Sequence, residues 1–209
     1  MTSLLTSCDI LKSVDKFCYL GSFLSTTVSA DSDITSRLAK AGSAFGKRQR
    51  RLWGVHDVSL KTKIAVYRAV VLTTLLYGCE TWTLYRRSIR RLDQFHLRCL
   101  RKIARVKCQD RIPNTDVLNT CGIMGIEAFL LKAQLRWVGH IMLMPDSRVP
   151  KQVFLGQLAS RKRLQCGPVL RYKDALKINM KQCGIDPSAL GDDTQDRSCL
   201  LYTSDAADE

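Results

Sequence analysis

The spacing of apolar positions changes near residue 30. Before it, Phe17-Cys18-Tyr19-Leu20-Gly21-Ser22-Phe23-Leu24 is aromatic and strand-prone. Gly21 interrupts that run where a bulge or a close backbone approach fits. Ile10-Leu11-Lys12-Ser13-Val14 is predicted to pair with it as a short hairpin. Alone, such a hairpin is marginal and needs a helical layer or further strands beneath it. From Asp31 the apolar residues recur every three to four positions. Asp31 or Ser32 is placed to N-cap a helix whose stripe is Ile34, Leu38, Ala41, Phe45 and Leu52. Lys47-Arg48-Gln49-Arg50-Arg51 puts cations at its end, where the helix dipole favours them. Ser59 opens a second helix, with Ile64, Tyr67, Val70, Val71 and Leu75 inward and an end near Tyr77-Gly78.

The third predicted helix, Arg86 to about Val106, divides into two faces. Stepping about 100° per residue gathers Ile89, Leu92, Phe95, His96, Cys99, Leu100, Ile103 and Val106 into one arc of roughly 140°. Arg86, Arg87, Arg90, Arg91, Arg98, Arg101, Lys102 and Arg105 fall in the opposite arc. A solvated helix face usually mixes acids with bases to gain i,i+4 pairs. Asp93 is the sole acid in this stretch, so the cations repel one another unless an anion lies against them.

Further along, Pro113-Asn114 starts a short helix ending near Cys121-Gly122. A longer one, about Gly125 to Met144, is apolar around most of its circumference and is expected to be buried. Its polar exceptions include Arg136 and His140, one turn apart and projecting the same way. Helices are also predicted at Val149 to Leu158, with Pro150 in the first turn, at about Tyr172 to Cys183, and after Pro187. Between the first two of these lies the basic loop Ser160-Arg161-Lys162-Arg163-Leu164-Gln165-Cys166-Gly167-Pro168. The expected architecture is mainly α: a small N-terminal β-hairpin, then an all-helical body over residues 31–198.

Composition sharpens this reading. The 209 residues carry 33 Lys+Arg against 19 Asp+Glu, a net charge of +14, and 45% are hydrophobic. That is enough apolar material for a packed core. The charge attracts polyanions, nucleic acid first and anionic membrane surface second. The apolar stretch Ala65 to Cys79 is broken by Arg68, Thr73 and Thr74, so no membrane span is expected. The helix at 86–106 lacks Trp and carries His96 and Cys99 on its apolar face, which suits core packing better than a membrane surface. No secretory signal is recognised at the N-terminus, and an intracellular location, nuclear or cytoplasmic, is expected.

Nine cysteines at irregular spacing, without such a signal, argue against a disulfide framework. There is no CxxC or HxxxH pair. A zinc site from Cys108, Cys121 and His140 is the alternative to scattered reduced thiols, and ligand pairs usually sit closer in sequence. No metal, cofactor or small-molecule substrate is therefore expected. A polymerase palm needs two aspartates after an aromatic, Tyr/Phe-x-Asp-Asp, to hold Mg²⁺. The pair Asp192-Asp193 follows Leu190-Gly191 and lacks that aromatic, so it reads as surface acid. There is also no endonuclease constellation and no P-loop, hence no catalytic residue and no enzyme activity is expected.

Five strings in order resemble one family, the non-LTR retrotransposon reverse transcriptases of the RTE-like kind. They are Phe17-Cys18-Tyr19-Leu20-Gly21-Ser22; Leu75-Leu76-Tyr77-Gly78-Cys79-Glu80-Thr81-Trp82; Leu135-Arg136-Trp137-Val138-Gly139-His140; Met144-Pro145-Asp146-Ser147-Arg148-Val149-Pro150; and Arg171-Tyr172-Lys173-Asp174. The chain departs from the family pattern at Leu143, Arg161, Gln165, Cys166 and Thr73. The resemblance is to the segment downstream of the palm. It implies a β-hairpin edge from the palm–thumb junction at 1–30, a helical thumb-like bundle at 31–110, and a C-terminal helical region with its basic loop at 111–198. Residues 199–209, Cys199 to Glu209, resemble the translation of a transposase mosaic-end adaptor and are set apart as an artefactual tail.

In that family the thumb holds a template–primer duplex by its backbone, which implies RNA and DNA as partners and contacts to phosphate rather than to base edges. The residues expected to make them are Arg87, Arg90, Arg91, Arg98, Arg101 and Arg105 on the third helix. Arg161, Lys162 and Arg163 in the loop follow, then Arg136 and His140. Trp53, Trp82 and Trp137 are expected in the core, each sitting in an apolar string. The function implied is a nucleic-acid-binding fragment of a retroelement reverse transcriptase without its catalytic centre. The alternative is a pseudogene or truncated product with no independent activity.

Overall fold

The computed structural model describes residues 5–6, 9–10, 14–19, 21–25, 30–156 and 171–182. Among these the chain is helical from residue 31 onward, with short antiparallel strand pairs before it. The loop Arg161-Lys162-Arg163, the helix predicted after Pro187, Asp192-Asp193 and the tail 199–209 lie outside the described residues.

Strand β1 (Leu5–Thr6) pairs with β2 (Asp9–Ile10), and β3 (Lys16–Tyr19) pairs with β4 (Ser22–Ser25). The second hairpin thus closes inside the stretch predicted to be one strand, and Ile10, expected to pair with that stretch, pairs with Leu5. Tyr19 faces Ser22 across a two-residue connection in which Gly21 has φ +81°. A two-residue turn needs positive φ, which costs glycine no Cβ clash, so Gly21 reverses the chain rather than bulging it.

A buried arginine ties this hairpin to the helical body. In α1 (Asp31–Gly46), Arg37 is 5% exposed and donates to the Gly21 carbonyl at 2.8 Å and to Ser22 Oγ at 3.0 Å. Its guanidinium lies 4.4 Å from the Tyr77 ring centroid and 3.8 Å from Asp33, whose carboxylate accepts the Trp82 indole N–H at 2.9 Å. A charge taken out of water is tolerated only when it is partnered in this way.

Neither predicted N-cap holds at α1. The cap position is Ala30, and Asp31 and Asp33 fall in the first turn, where carboxylates complement the helix dipole. Asp31 accepts Ser88 Oγ at 2.8 Å instead, a contact between helices that no local pattern encodes. The cations expected in the last turn lie just past Gly46, although the Arg48 guanidinium reaches back to the Ala44 carbonyl at 3.0 Å. A wide π-helical turn (Gln49–Trp53) then stacks Trp53 on Phe45.

Ser59 N-caps α2 as predicted, its hydroxyl accepting from the Thr62 amide. Helix α2 (Leu60–Val66) continues through a π-helical segment (Tyr67–Leu72) into α3 (Thr73–Leu75), and Gly78 turns the chain at φ +78°. Then follow α4 (Arg86–Ala104), α5 (Asn114–Cys121), α6 (Ile126–Met142), α7 (Val149–Leu155) and α8 (Tyr172–Gln182).

Two apolar clusters organise these helices. The main one is built on Ile34, Tyr67, Leu75, Leu92 and Leu100 and runs past residue 110 to include Val117, Cys121, Ile126 and Leu130. The second comprises Leu131, Leu135, Val138, Leu176 and Met180. Helix α6 crosses from one to the other, so it needs apolar residues around much of its circumference. The sequence pattern showed that breadth without revealing two separate partners.

Candidate nucleic-acid interface

Helix α4 carries the charge. Ile89, Leu92, His96, Cys99, Leu100 and Ile103 are buried against the body, which turns the opposite arc to solvent. There Arg87, Arg90, Arg98 and Lys102 are exposed and make no hydrogen bond or ion pair with a described residue. From Arg87 to Arg98 the helix rises about 16 Å, roughly five steps of 3.4 Å along one nucleic-acid strand.

The other predicted arginines of this face also serve the fold. Arg91 donates to Thr35 Oγ1 at 3.0 Å. Arg101 donates to the Ile112 carbonyl at 2.8 Å and to Asn114 Oδ1 at 2.9 Å. Arg105 takes a left-handed φ of +60° at the end of α4 and donates to the Gly54 and Val55 carbonyls at 3.0 and 3.1 Å, beside the His56 ring. Neutral acceptors aim a guanidinium without cancelling its charge, so all three still add to the field.

Three acids moderate one end of the helix, Asp31 among them, which lines a shallow cavity with Arg87 and Arg91. Arg86 pairs with Glu127 at 2.8 Å, with both side chains more than half exposed, a geometry that contributes little to stability. Asp93 has its carboxyl pKa pushed up by burial and then by the nearby Glu127 charge. Sequence reasoning found Asp93 but missed Glu127, which α6 brings across.

Arg136 and His140 project from α6 one turn apart, and both are exposed. Arg136 borders a cavity of about 460 Å³ with Arg68, Lys132 and Glu80. Lys132 stands four residues before Arg136, a spacing legible in the sequence. Arg68 arrives from the π-helical segment and is not legible there. Trp53 and Trp82 are core residues as predicted, whereas Trp137 is half-buried beside His140, with ring centroids 5.9 Å apart.

The buried polar centre of α4 is His96. Its Nδ1 lies 2.8 Å from Tyr67 Oη and its Nε2 lies 3.1 Å from the Met124 carbonyl. Burial pushes its pKa down to about 4, so the ring is neutral at pH 7. Burial also pushes the Cys79 and Cys99 thiols up to about 12, which removes them as thiolate nucleophiles. Among the described residues no group of His, Cys, Asp and Glu is placed to hold a metal ion, and no helix is long and apolar enough to cross a membrane.

Over 142 residues the chain is 23% identical to a putative uncharacterized transposon-derived protein of Caenorhabditis elegans, a stretch covering 66% of this chain and 50% of that protein. The chain therefore spans about half the length of the curated relative it matches. No family model and no solved structure matches it.

Proposed function

We propose that this chain is a phosphate-backbone-binding helical module of transposon origin, corresponding to the thumb and C-terminal segment of a non-LTR reverse transcriptase. Its role is to hold RNA and DNA, and phosphoryl transfer belongs elsewhere: no Tyr/Phe-x-Asp-Asp string occurs in the 209 residues. One observation carries the reading. Arg87, Arg90, Arg98 and Lys102 stand together on the outward face of α4 with no described partner, while its inward face is locked into the core. A cationic row of this kind lowers its self-repulsion by taking a polyanion. The likeness to a transposon-derived protein supports the origin, and the five ordered sequence strings support the segment.

Such binding is governed by phosphate neutralisation, so affinity falls steeply with salt and varies little with base sequence. The test replaces Arg87, Arg90 and Arg98 together with Gln in the full chain. Glutamine is nearly as good a helix former as arginine, so helicity should be kept. On B-DNA the slope of log K against log salt should flatten by up to about 3, and affinity should fall for all duplex sequences alike. A folded triple variant with an unchanged slope would remove α4 as the binding face.

A further inference from the structure

Trp137 differs from the other two tryptophans. Trp53 and Trp82 are buried and donate their indole N–H to the Phe45 carbonyl and the Asp33 carboxylate. Trp137 is half-buried on α6 and makes no hydrogen bond with a described residue. It lines a cavity of about 670 Å³ together with Phe154, Tyr172, Arg171 and Lys173.

The aromatic walls of that cavity are fixed in place. The Tyr172 hydroxyl donates to the Glu80 carbonyl at 2.7 Å, and its ring meets Phe154 edge-on at 6.2 Å. The Lys173 ammonium stands 5.9 Å from the Phe154 ring centroid. Arg171 is exposed and makes no hydrogen bond or ion pair with a described residue. Asp174 also lines the cavity and offsets one of these two cations.

The helix surface beside Trp137 is basic as well. Ala133, Trp137 and Ile141 form one i,i+4 ridge of α6, and Lys132, Arg136 and His140 form the ridge next to it. A half-buried indole is thus flanked by cations from α6 and from the start of α8.

We propose that this cavity receives an unpaired base of single-stranded RNA or DNA, stacked on Trp137, with neighbouring phosphates on Arg136, Arg171 and Lys173. The proposal rests on the reading of the chain as a nucleic-acid binder, but no α4 residue lines this cavity. Aromatic platforms beside basic side chains are how proteins hold single strands without sequence preference, since every base offers a π-face. The volume lies in the range of ligand-sized pockets. A purely apolar occupant would leave the two cations of the cavity balanced by Asp174 alone. A base inside a duplex has its faces covered by its neighbours and cannot stack here.

The test uses the full chain, a short oligouridylate and a duplex of unrelated sequence. Trp137→Leu should weaken the single strand at least about fivefold while leaving the duplex within about twofold. Trp137→Phe keeps a π-face and should recover most of the loss. Replacing Arg171 and Lys173 with Gln should flatten the single-strand salt slope by roughly 1.4. In the unmodified chain the oligouridylate should quench tryptophan emission, which decides the matter even if the Leu variant does not fold. Absent quenching overturns the proposal, as does a Trp137 inaccessible to acrylamide because the cavity is already filled. Equal single-strand affinity in a folded Leu variant overturns it too. Loss of duplex binding in the α4 variant, with Trp137→Leu silent, supports the earlier reading and sinks this one. The reverse pattern does the opposite.

Discussion

His96 shows how much one buried side chain settles. A carbonyl only accepts, so Nε2 must carry the proton it shares with Met124, and Nδ1 must accept from the Tyr67 hydroxyl. That fixes a single neutral tautomer linking α4, the π-helical segment and the connection that leads into α6. Burial lowers the folded-state pKa to about 4, partly opposed by the Met124 bond, against about 6.5 in the unfolded chain. Above pH 6.5 neither state binds the proton, and the contribution of a neutral His96 is fully present. Between pH 6.5 and 4 the unfolded state takes up a proton that the folded state refuses, so stability falls with pH by up to about 1.4 kcal/mol per unit. The full loss is on the order of 3 kcal/mol. Urea midpoints from pH 7.5 to 4.5 should therefore fall more steeply for the native chain than for His96→Gln. Carboxylates titrate in both proteins and cancel in the comparison, so parallel curves would refute the assignment.

Elements were legible where their own periodicity specified them. Helix α4 begins at the predicted residue because a run of arginines alternates with a single apolar stripe, and no other conformation segregates them. It ends sooner than predicted, since Arg105 adopts a left-handed φ secured by carbonyls some fifty residues earlier, a contact with no local sequence sign. The strand pairing of the hairpin differs from expectation for a related reason: an aromatic, strand-prone run does not separate a strand containing a bulge from two strands and a turn at Gly21. Within the candidate interface the cationic face was legible. The division of labour on it was not, because Ile112 and Asn114 reach Arg101 only after α5 has packed. That division is testable. Arg101→Gln removes charge-assisted hydrogen bonds between α4 and the chain entering α5, and should cost about 1 kcal/mol at this half-exposed position. Arg90→Gln breaks no bond to a described residue and should leave stability within about 0.5 kcal/mol. Each removes one positive charge, so the two should lower the salt slope equally by about 0.9 while separating in melting temperature. Equal melting temperatures would mean that the Arg101 bonds contribute nothing.

At the scale of the whole molecule, the two apolar clusters assign unequal stability to its two ends. The main cluster draws on α1 to α6, whereas the second rests on Leu131, Leu135, Val138, Leu176 and Met180, with Phe154 and Tyr172 at its margin. Gln134 and Tyr172 attach that smaller unit to the segment after α3. Gln134 donates to the Trp82 carbonyl at 2.9 Å, and Tyr172 donates to the Glu80 carbonyl. Cooperative units with less buried apolar surface open at lower free energy, so α8 and the last turns of α6 should exchange amide hydrogens before α4 does. Leu176 is 3% exposed, and Leu176→Ala should cost about 2–5 kcal/mol locally. Its effect should appear as faster exchange in α8 and in α6 beyond Leu131, with protection around Leu92 and Leu100 unchanged. This arrangement bears on function because the Trp137 cavity is walled by the weaker unit and the α4 face is backed by the stronger one. The Leu176 variant should thus keep its duplex affinity and salt slope while losing affinity for single strands. If exchange accelerates uniformly from α1 to α8, the clusters unfold as one unit, and the two surfaces cannot be separated by stability.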